Sequence, residues 1–483
     1  MSTFSTKQFI GLWFGLIGFL AILIIPAPET LDPVAWRTLA VAFLMASWWI
    51  TEAIPIAVTS LLPIVMLPVF NIQAISASTS PYANPLIFLF MGGFMVAIAM
   101  QRWNLHKRIA LNIVSYVGTK PSSILIGFII ASAFLSMWVS NSATALMMLP
   151  IAISIIEIAK RNKTDKAAAG DNFALVLVLC IAYACNIGGV GTLIGTPPNA
   201  LAAGFVLDTY GYDISFVKWM MGGLPIVIIG LPLMYLVLSK LIYPVYLKEL
   251  PGGVELIMEE LEKLGELSIP EKRVAIVFAV TASLWLVRPL IGYLIPEISD
   301  AGIAIAAGIS LFLIPSGDEK PGTLVSWEDV ANLPWGILIL FGGGLSLASA
   351  ITSSGLADWI GQEISMLGFL PVFLMLLIVT SVIVFLTEMT SNTATAAAFI
   401  PILGSAAIGL GFDPLFFVIP AAIAASCAFM LPVATPPNAI VYASDEVTIA
   451  QMSKAGVWLN ISFITLITIA AYTIIAWVYG FSI

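Results

Sequence analysis

Charged residues are scarce in this sequence. Only 10% of its 483 residues are charged and 60% are apolar, whereas soluble domains carry roughly 25% charged residues. A soluble fold with so little charge would aggregate, so a soluble globular class is excluded. Long apolar runs recur along the chain and fit a bilayer core of roughly 30 Å, which predicts an all-α polytopic membrane protein.

Cysteine and histidine, common ligands of protein-bound metals, are also scarce. Cys180, Cys185 and Cys427 all lie in apolar segments without metal-binding spacing, which indicates core packing. The single histidine, His106, lies in a basic stretch with no Cys or carboxylate cluster nearby. An enzyme needs a nucleophile with its base or a set of metal ligands, so this shortage argues against a membrane-embedded enzyme.

The apolar segments predict eleven membrane spans and two helical hairpins. The first run lacks a small-residue cleavage site and is about a full span long, so we interpret it as a membrane helix and not as a signal peptide. Residues 121–158 and 371–411 are each too long for one span and broken by polar residues, which fits a re-entrant hairpin. The predicted spans are residues 8–27, 36–51, 54–70, 85–101, 172–207, 216–247, 272–295, 301–315, 334–353, 413–443 and 453–481.

The distribution of Lys and Arg predicts the orientation. With a cytoplasmic N-terminus, all of the 19 basic residues except Arg37, Lys218 and Arg288 lie inside, as the positive-inside rule requires. We therefore expect a multi-pass protein of the cell (inner) membrane with an extracytoplasmic C-terminus.

One long polar segment, residues 248–273, divides the chain. Its residues 254–264 have the apolar spacing of an amphipathic helix, which predicts a cytoplasmic linker helix at the membrane interface. The predicted parts are an N-terminal transmembrane helix at 1–30, a first repeat at 31–247, the linker, and a second repeat at 274–483.

Three sequence blocks occur twice and in the same order. SMWVSNSATALMMLPI is matched by TEMTSNTATAAAFIPI. Leu89-Phe90-x-Gly92-Gly93 is matched by Leu340-Phe341-x-Gly343-Gly344. GTPPNA at 195–200 is matched by ATPPNA at 434–439. Five predicted spans, an odd number, separate the two Ser-Asn clusters, so the repeats have inverted topology. Inverted repeats with broken helices at matching positions are typical of secondary transporters, which bind their solute between the halves.

The repeated clusters indicate an anionic solute and a hard cation. Ser140-Asn141 and Ser391-Asn392 begin the returning hairpin helices, whose N–H groups bind anions without a basic side chain. In Thr196-Pro197-Pro198-Asn199 and Thr435-Pro436-Pro437-Asn438 the tandem prolines end a helix and free carbonyl groups, which suit sodium together with Ser and Asn oxygens. These four segments contain no Lys, Arg or His, so a bound anion needs cations to balance its charge.

The chain resembles the divalent anion/sodium symporter family, which carries di- and tricarboxylates. The resemblance rests on these clusters and on the stretch Trp48-Trp49-Ile50-Thr51-Glu52-Ala53-Ile54-Pro55-Ile56. The resemblance covers essentially the whole chain. It implies a homodimer with a scaffold domain and a transport domain that moves like an elevator.

The resemblance also implies which residues bind sodium and substrate. The sodium ligands would be Ser140, Asn141 and carbonyl groups near Ser136 and Gly195 in one half, and Ser391, Asn392 and carbonyl groups near Thr387 and Ala434 in the other. The substrate would contact Ser140, Asn141, Ser142, Thr196, Pro197, Ser391, Asn392, Thr393, Thr435 and Pro436. Ser142 replaces the family's usual Thr and keeps its hydroxyl, which leaves the preferred carboxylate open.

We expect sodium-coupled uptake of a C4-dicarboxylate such as succinate, malate or fumarate, with co-transported sodium. A tricarboxylate or sulfate symporter, a sodium-independent dicarboxylate exchanger and, from another class, a channel are the alternatives. Importing a dianion against 100 mV costs about 4.6 kcal/mol, at roughly 2.3 kcal/mol per charge. Uptake that exploits the voltage therefore needs more than two cations.

Two carboxylates, Glu52 and Glu388, lie in apolar surroundings, where a functional role is the default expectation. Each has either a gating or packing role or a buried hydrogen bond near a helix end.

The predicted orientation of the halves is tested by cysteine labelling. In a variant carrying Lys163→Cys, the new thiol should react with a membrane-impermeant reagent only from the cytoplasm, because the first hairpin opens inward. Gly368→Cys should react only from outside. Labelling of both positions from the same side would contradict the inverted repeat.

Overall fold

The described part of the chain is helical. The computed structural model describes residues 5–118, 120–161, 172–247, 250, 252–318, 322–365 and 370–481. Nine helical segments there are long and apolar enough to cross a membrane, and six shorter ones are also apolar, which confirms an all-helical polytopic membrane protein. The two labelling positions proposed above, Lys163 and Gly368, lie outside the described residues.

Thirteen α-helices lie in the described residues of the first half and the linker. They are α1 (Thr6–Ile24), α2 (Pro33–Thr51), α3 (Ile56–Thr59), α4 (Leu62–Val69), α5 (Ile75–Thr79), α6 (Pro85–Arg102), α7 (Leu105–Val117), α8 (Pro121–Ser136), α9 (Asn141–Arg161), α10 (Phe173–Gly189), α11 (Pro197–Tyr210), α12 (Phe216–Leu236) and α13 (Gly253–Lys263). A 3-10 turn (Ser80–Ala83) precedes α6, and a π-helical turn (Val237–Ile242) extends α12. Helix α13 lies where the linker helix was predicted.

Eleven α-helices lie in the part of the second half that the structure describes. They are α14 (Ile269–Ile291), α15 (Asp300–Leu313), α16 (Trp327–Ala331), α17 (Trp335–Ser353), α18 (Leu356–Ser365), α19 (Val372–Thr387), α20 (Asn392–Gly409), α21 (Leu415–Ala425), α22 (Pro436–Tyr442), α23 (Ile449–Ala470) and α24 (Ala476–Tyr479). A π-helical turn (Ala471–Ile475) joins the last two helices.

The helix is interrupted inside three of the predicted spans. The span at 172–207 stops at Gly189 and restarts at Pro197, and the span at 413–443 stops at Ala425 and restarts at Pro436. Proline at the first position of each restarting helix explains both interruptions. Its missing N–H is not needed at that position, and proline cannot continue a preceding helix. The span at 54–70 is divided into α3 and α4.

The two predicted hairpins are pairs of helices broken at their polar clusters. The first arms, α8 and α19, have 16 residues each, which is about 24 Å at 1.5 Å per residue. That length falls short of a bilayer core of roughly 30 Å. The short first arms favour re-entrant hairpins over crossing pairs, whereas the second arms, α9 and α20, are among the nine segments long enough to cross. The topology stays a prediction.

The duplicated sequence folds into helices with matching bounds. Helix α19 begins and ends 251 residues after α8, and the starts of α9 and α20 have the same separation. The starts of α7 and α18 do as well. Matching breaks in both halves place each polar cluster at an equivalent point of its hairpin.

The repeated Gly-Gly pairs allow close helix packing. A Cβ atom on Gly92 of α6 would lie 2.4 Å from the carbonyl oxygen of Ala304 on α15. A Cβ atom on Gly343 of α17 would lie 2.3 Å from the carbonyl oxygen of Ser60, between α3 and α4. Real Cβ atoms do not approach a backbone so closely, so only glycine permits these contacts, as is common between membrane helices.

Gly92→Ala should therefore destabilise the fold by about 1–3 kcal/mol, because the α6–α15 contact must open to admit the methyl group. The matched control is Gly93→Ala, whose Cβ would lie 3.4 Å from Ile194 Cδ1, an ordinary contact. The measurement is the thermal unfolding midpoint of the purified proteins in detergent. Equal midpoints for the two variants would contradict the packing explanation.

Candidate functional site

The four repeated clusters meet at one cavity of about 850 Å³. A volume of this size is ample for a small solute. Its lining includes all ten residues predicted to contact substrate: Ser140, Asn141, Ser142, Thr196, Pro197, Ser391, Asn392, Thr393, Thr435 and Pro436. Segments far apart in sequence thus contribute hydroxyl, amide and helix N-terminal groups to the same space.

The first predicted sodium site is a cluster of oxygens at the tip of the α8–α9 hairpin. The buried Ser136 hydroxyl lies 2.6 Å from the Cys185 carbonyl oxygen and also forms a hydrogen bond to Asn141 Oδ1. A Cβ on Gly189 would lie 3.0 Å from this Oδ1 and 3.1 Å from the Gly195 carbonyl oxygen. Ser136, Asn141 and Gly195, predicted from the sequence, are therefore close together.

The second predicted site repeats this arrangement at the α19–α20 hairpin. The buried Thr387 hydroxyl lies 2.7 Å from Asn392 Oδ1 and 2.9 Å from the Ala425 carbonyl oxygen. Ala434 is buried and lines the cavity beside Asn392 and Ser391. The carbonyl groups of Cys185 and Ala425, at the ends of α10 and α21, are contacts that the sequence did not reveal.

Each cluster gathers several acceptor oxygens around one hydroxyl group. A hydroxyl carries one proton, so the hydroxyl of Ser136 or Thr387 donates to only one of its two neighbouring acceptors at a time. The second acceptor then faces another oxygen without a proton between them. Such clusters of neutral oxygens suit a hard cation such as sodium.

The asparagines of the Thr-Pro-Pro-Asn segments satisfy carbonyl groups at the helix breaks. Asn199 Nδ2 donates to the carbonyl oxygens of Gly189 at 3.0 Å and Thr192 at 2.7 Å. The equivalent Asn438 Nδ2 donates to Ala428 at 3.2 Å and Leu431 at 3.1 Å. The prolines were expected to free upstream carbonyls, and two of those in each half are already bound by asparagine.

Contacts between the halves join the two breaks. Asn186 of α10 donates from Nδ2 to Thr435 Oγ1 at 3.1 Å, and the Thr196 and Ser426 hydroxyls lie 3.3 Å apart. Thr435 Oγ1 also accepts from the Asn438 backbone N–H at 3.3 Å. With two donors bound to its oxygen, the Thr435 hydroxyl keeps its proton for a further acceptor.

Two of these residues, Asn186 and Ser426, were missed from the sequence. Asn186 is fully buried, lines the cavity and has a side-chain oxygen with no hydrogen-bond partner among the described residues. The available signal was a single amide in the otherwise apolar α10, a costly placement within a membrane. Ser426, in contrast, has no distinguishing motif.

Glu388 has a buried hydrogen-bonding role. Its carboxylate, with only 2% of the residue exposed, accepts the backbone N–H groups of Phe429, Met430 and Leu431 at 2.6 to 3.2 Å. It also accepts Asn460 Nδ2 at 2.8 Å. Glu388 thereby ties the second hairpin tip to the break between α21 and α22.

Glu52, in contrast, lines the cavity and is exposed to solvent. It ends α2 in the left-handed backbone conformation, with φ of 52°. A non-glycine residue in this conformation is strained. Lys7 of α1, a basic residue just before the first apolar run of the sequence, also lines the cavity.

Comparison with known proteins assigns the family. Residues 6–480 match the family described as "Sodium:sulfate symporter transmembrane region". A sodium-dependent dicarboxylate transporter, SdcS, of Staphylococcus saprophyticus is 42% identical over 487 residues, covering 100% of this chain and 94% of that protein. SdcS of Staphylococcus aureus (strain MRSA252) is 44% identical over 486 residues, covering 99% of this chain and 94% of that protein.

Two solved structures share the fold at low sequence identity. MtrF of Neisseria gonorrhoeae has a TM-score of 0.54 at 11% identity and covers 97% of this chain and 95% of its own. YdaH of Alcanivorax borkumensis has a TM-score of 0.55 at 12% identity and covers 96% of this chain and 98% of its own. Together with the full-length relatives, this makes the chain a membrane transport protein and not an enzyme, and it belongs to the sodium:sulfate symporter family.

Proposed function

We propose that this protein is a sodium-coupled symporter that takes up C4-dicarboxylates such as succinate, malate and fumarate. The observation that carries the proposal is the convergence of two equivalent clusters, each with a proton-poor group of oxygens and a helix N-terminus, on one cavity. The names of the full-length relatives, which are sodium-dependent dicarboxylate transporters, support it.

The two clusters suit the symmetry of a dicarboxylate. The N-termini of α9 and α20 begin at Asn141 and Asn392, and their free N–H groups favour negative charge. A linear dicarboxylate has two like ends, and each cluster offers N–H, hydroxyl and amide donors to one of them. The Thr435 hydroxyl adds a further donor, since its oxygen already accepts two hydrogen bonds.

Sodium ions at the two oxygen clusters supply the positive charge that the binding segments lack. Because the clusters share Asn141 and Asn392 with the substrate region, an ion bound there lies next to the substrate carboxylates. Each ligand then lowers the electrostatic cost of binding the other. This coupling is the physical basis of symport.

The proposal includes a homodimer in the cell membrane, with a cytoplasmic N-terminus and an extracytoplasmic C-terminus. In each protomer a scaffold domain holds a transport domain, which carries the site across the membrane by an elevator-like motion. The short hairpin arms and the matched helix bounds of the two halves support the inverted topology that this motion requires.

Coupling predicts that substrate affinity falls steeply when sodium is replaced by choline at constant ionic strength. By linkage, substrate should tighten sodium binding by the same factor. Equilibrium binding of labelled succinate to the purified protein measures the first effect, and sodium titration with and without succinate measures the second. Succinate affinity that is indifferent to sodium would favour the exchanger.

The shared asparagines provide a second prediction. Asn141→Ala and Asn392→Ala should each lower sodium affinity at least about tenfold, since even supporting residues of metal sites cost 10–100-fold, and should abolish sodium-driven uptake. The matched control is Asn112→Ala on α7, where the side chain bonds only a backbone carbonyl of its own helix. Near-normal sodium affinity in either cluster variant would reduce its asparagine to a packing role.

Thr435→Val distinguishes an effect on substrate binding from an effect on cation binding. It removes one hydroxyl at nearly constant volume, so it should weaken succinate binding by about 1–2 kcal/mol and leave sodium binding without substrate nearly unchanged. Thr468→Val on α23 is the control, because that buried hydroxyl bonds the carbonyl of Ile464 within its own helix. Isothermal titration of both variants is the measurement, and unchanged succinate affinity in Thr435→Val would remove this residue from the site.

A further inference from the structure

The mouth of the cavity carries charge, although its centre does not. Among the described lining residues, Lys7 is the single basic and Glu52 the single acidic side chain. Both residues are exposed to solvent while they line the cavity, so they lie where it opens. The Ser-Asn and Thr-Pro-Pro-Asn segments that also line the cavity are uncharged. Lys7 is therefore the one fixed cation, and Glu52 the one fixed anion, among the described lining residues.

Packing holds Lys7 at this position. Helix α1 lies so close to α2 that a Cβ on Gly11 would be 2.1 Å from Thr51 Oγ1, next to Glu52. Lys7 precedes Gly11 by one helical turn and hence lies on the same face of α1. A capping box, in which Ser5 and Gln8 bond each other's backbone N–H groups, stabilises the first turn.

The Lys7 ammonium contacts the hairpin tip that carries the second Ser-Asn cluster. Its Nζ donates to the Met389 carbonyl oxygen at 3.5 Å, and Met389 precedes Ser391 by two residues. Lys7 forms no ion pair with any described residue. A neutral carbonyl at this distance is a weak partner for an ammonium, since hydrogen bonds between two ionised groups are shorter and stronger.

We propose that Lys7 is a substrate-binding residue at the mouth of the cavity. When the dicarboxylate is bound, the ammonium exchanges the Met389 carbonyl for the substrate carboxylate at the second Ser-Asn cluster. This role rests on the proposed function and adds one fixed positive charge beside the uncharged segments. With the N-terminus in the cytoplasm, this contact lies on the side where uptake ends.

The test compares succinate binding to the purified full-length protein and to Lys7→Gln, at fixed sodium and at two ionic strengths set with choline chloride. At about 0.1 M, Lys7→Gln should bind roughly threefold more weakly, the effect of losing one exposed ion pair. The difference should vanish near 1 M, where the Debye length falls from about 10 Å to about 3 Å. Lys7→Arg should bind like the wild type at both ionic strengths.

The matched control is Lys240→Gln, which removes the same charge from an exposed position outside this cavity and should leave binding unchanged. Wild-type affinity of Lys7→Gln at low ionic strength would overturn the proposal, and so would a loss that persists at high ionic strength, since that indicates a structural effect. If the wild type does not bind succinate, the proposed substrate class fails. The comparison is then made with sulfate and citrate, whose charge Lys7 would recognise in the same way.

Discussion

The structure depends on one constraint: a broken helix inside a membrane must satisfy its backbone groups from protein or water. Four breaks, at the two hairpin tips and before the two Thr-Pro-Pro-Asn segments, surround one cavity. Asn199 and Asn438 each satisfy two carbonyl groups at their break. The remaining segments of the breaks line the same space, and in our proposal their oxygens and N–H groups bind the ions and the substrate.

The two halves meet this constraint with different side chains. In the first half, the Thr192 hydroxyl at the break donates to the Met137 carbonyl at the hairpin tip, at 2.5 Å. In the second half, the Glu388 carboxylate at the tip accepts three backbone N–H groups at the break. The second connection adds a buried charge that the first lacks. Equivalent clusters therefore lie in unlike electrostatic surroundings.

The sequence predicted the elements whose signal is local. Tandem prolines and Ser-Asn pairs located the breaks and the hairpin tips. The repeated glycines indicated the duplication, and the close helix contacts that they permit were not predicted. The sequence also did not predict Asn186, Ser426 or Lys7 at the cavity, because their roles depend on which distant segments meet there. Lys7 in particular looks like an ordinary charge flanking a membrane helix until α1 is seen to end beside the second hairpin. The division of residues 54–70 was also missed, although Thr59 and Ser60 lie at the point where α3 ends in an otherwise apolar run.

Transport itself tests the central claim most directly. Purified protein in proteoliposomes should accumulate labelled succinate when a sodium gradient is directed inward, and should not accumulate it when sodium is equal on both sides or replaced by choline. Unlabelled malate and fumarate should compete well, and citrate and sulfate poorly. Accumulation that needs internal dicarboxylate and ignores the sodium gradient would contradict symport, and inhibition by sulfate alone would contradict the dicarboxylate assignment.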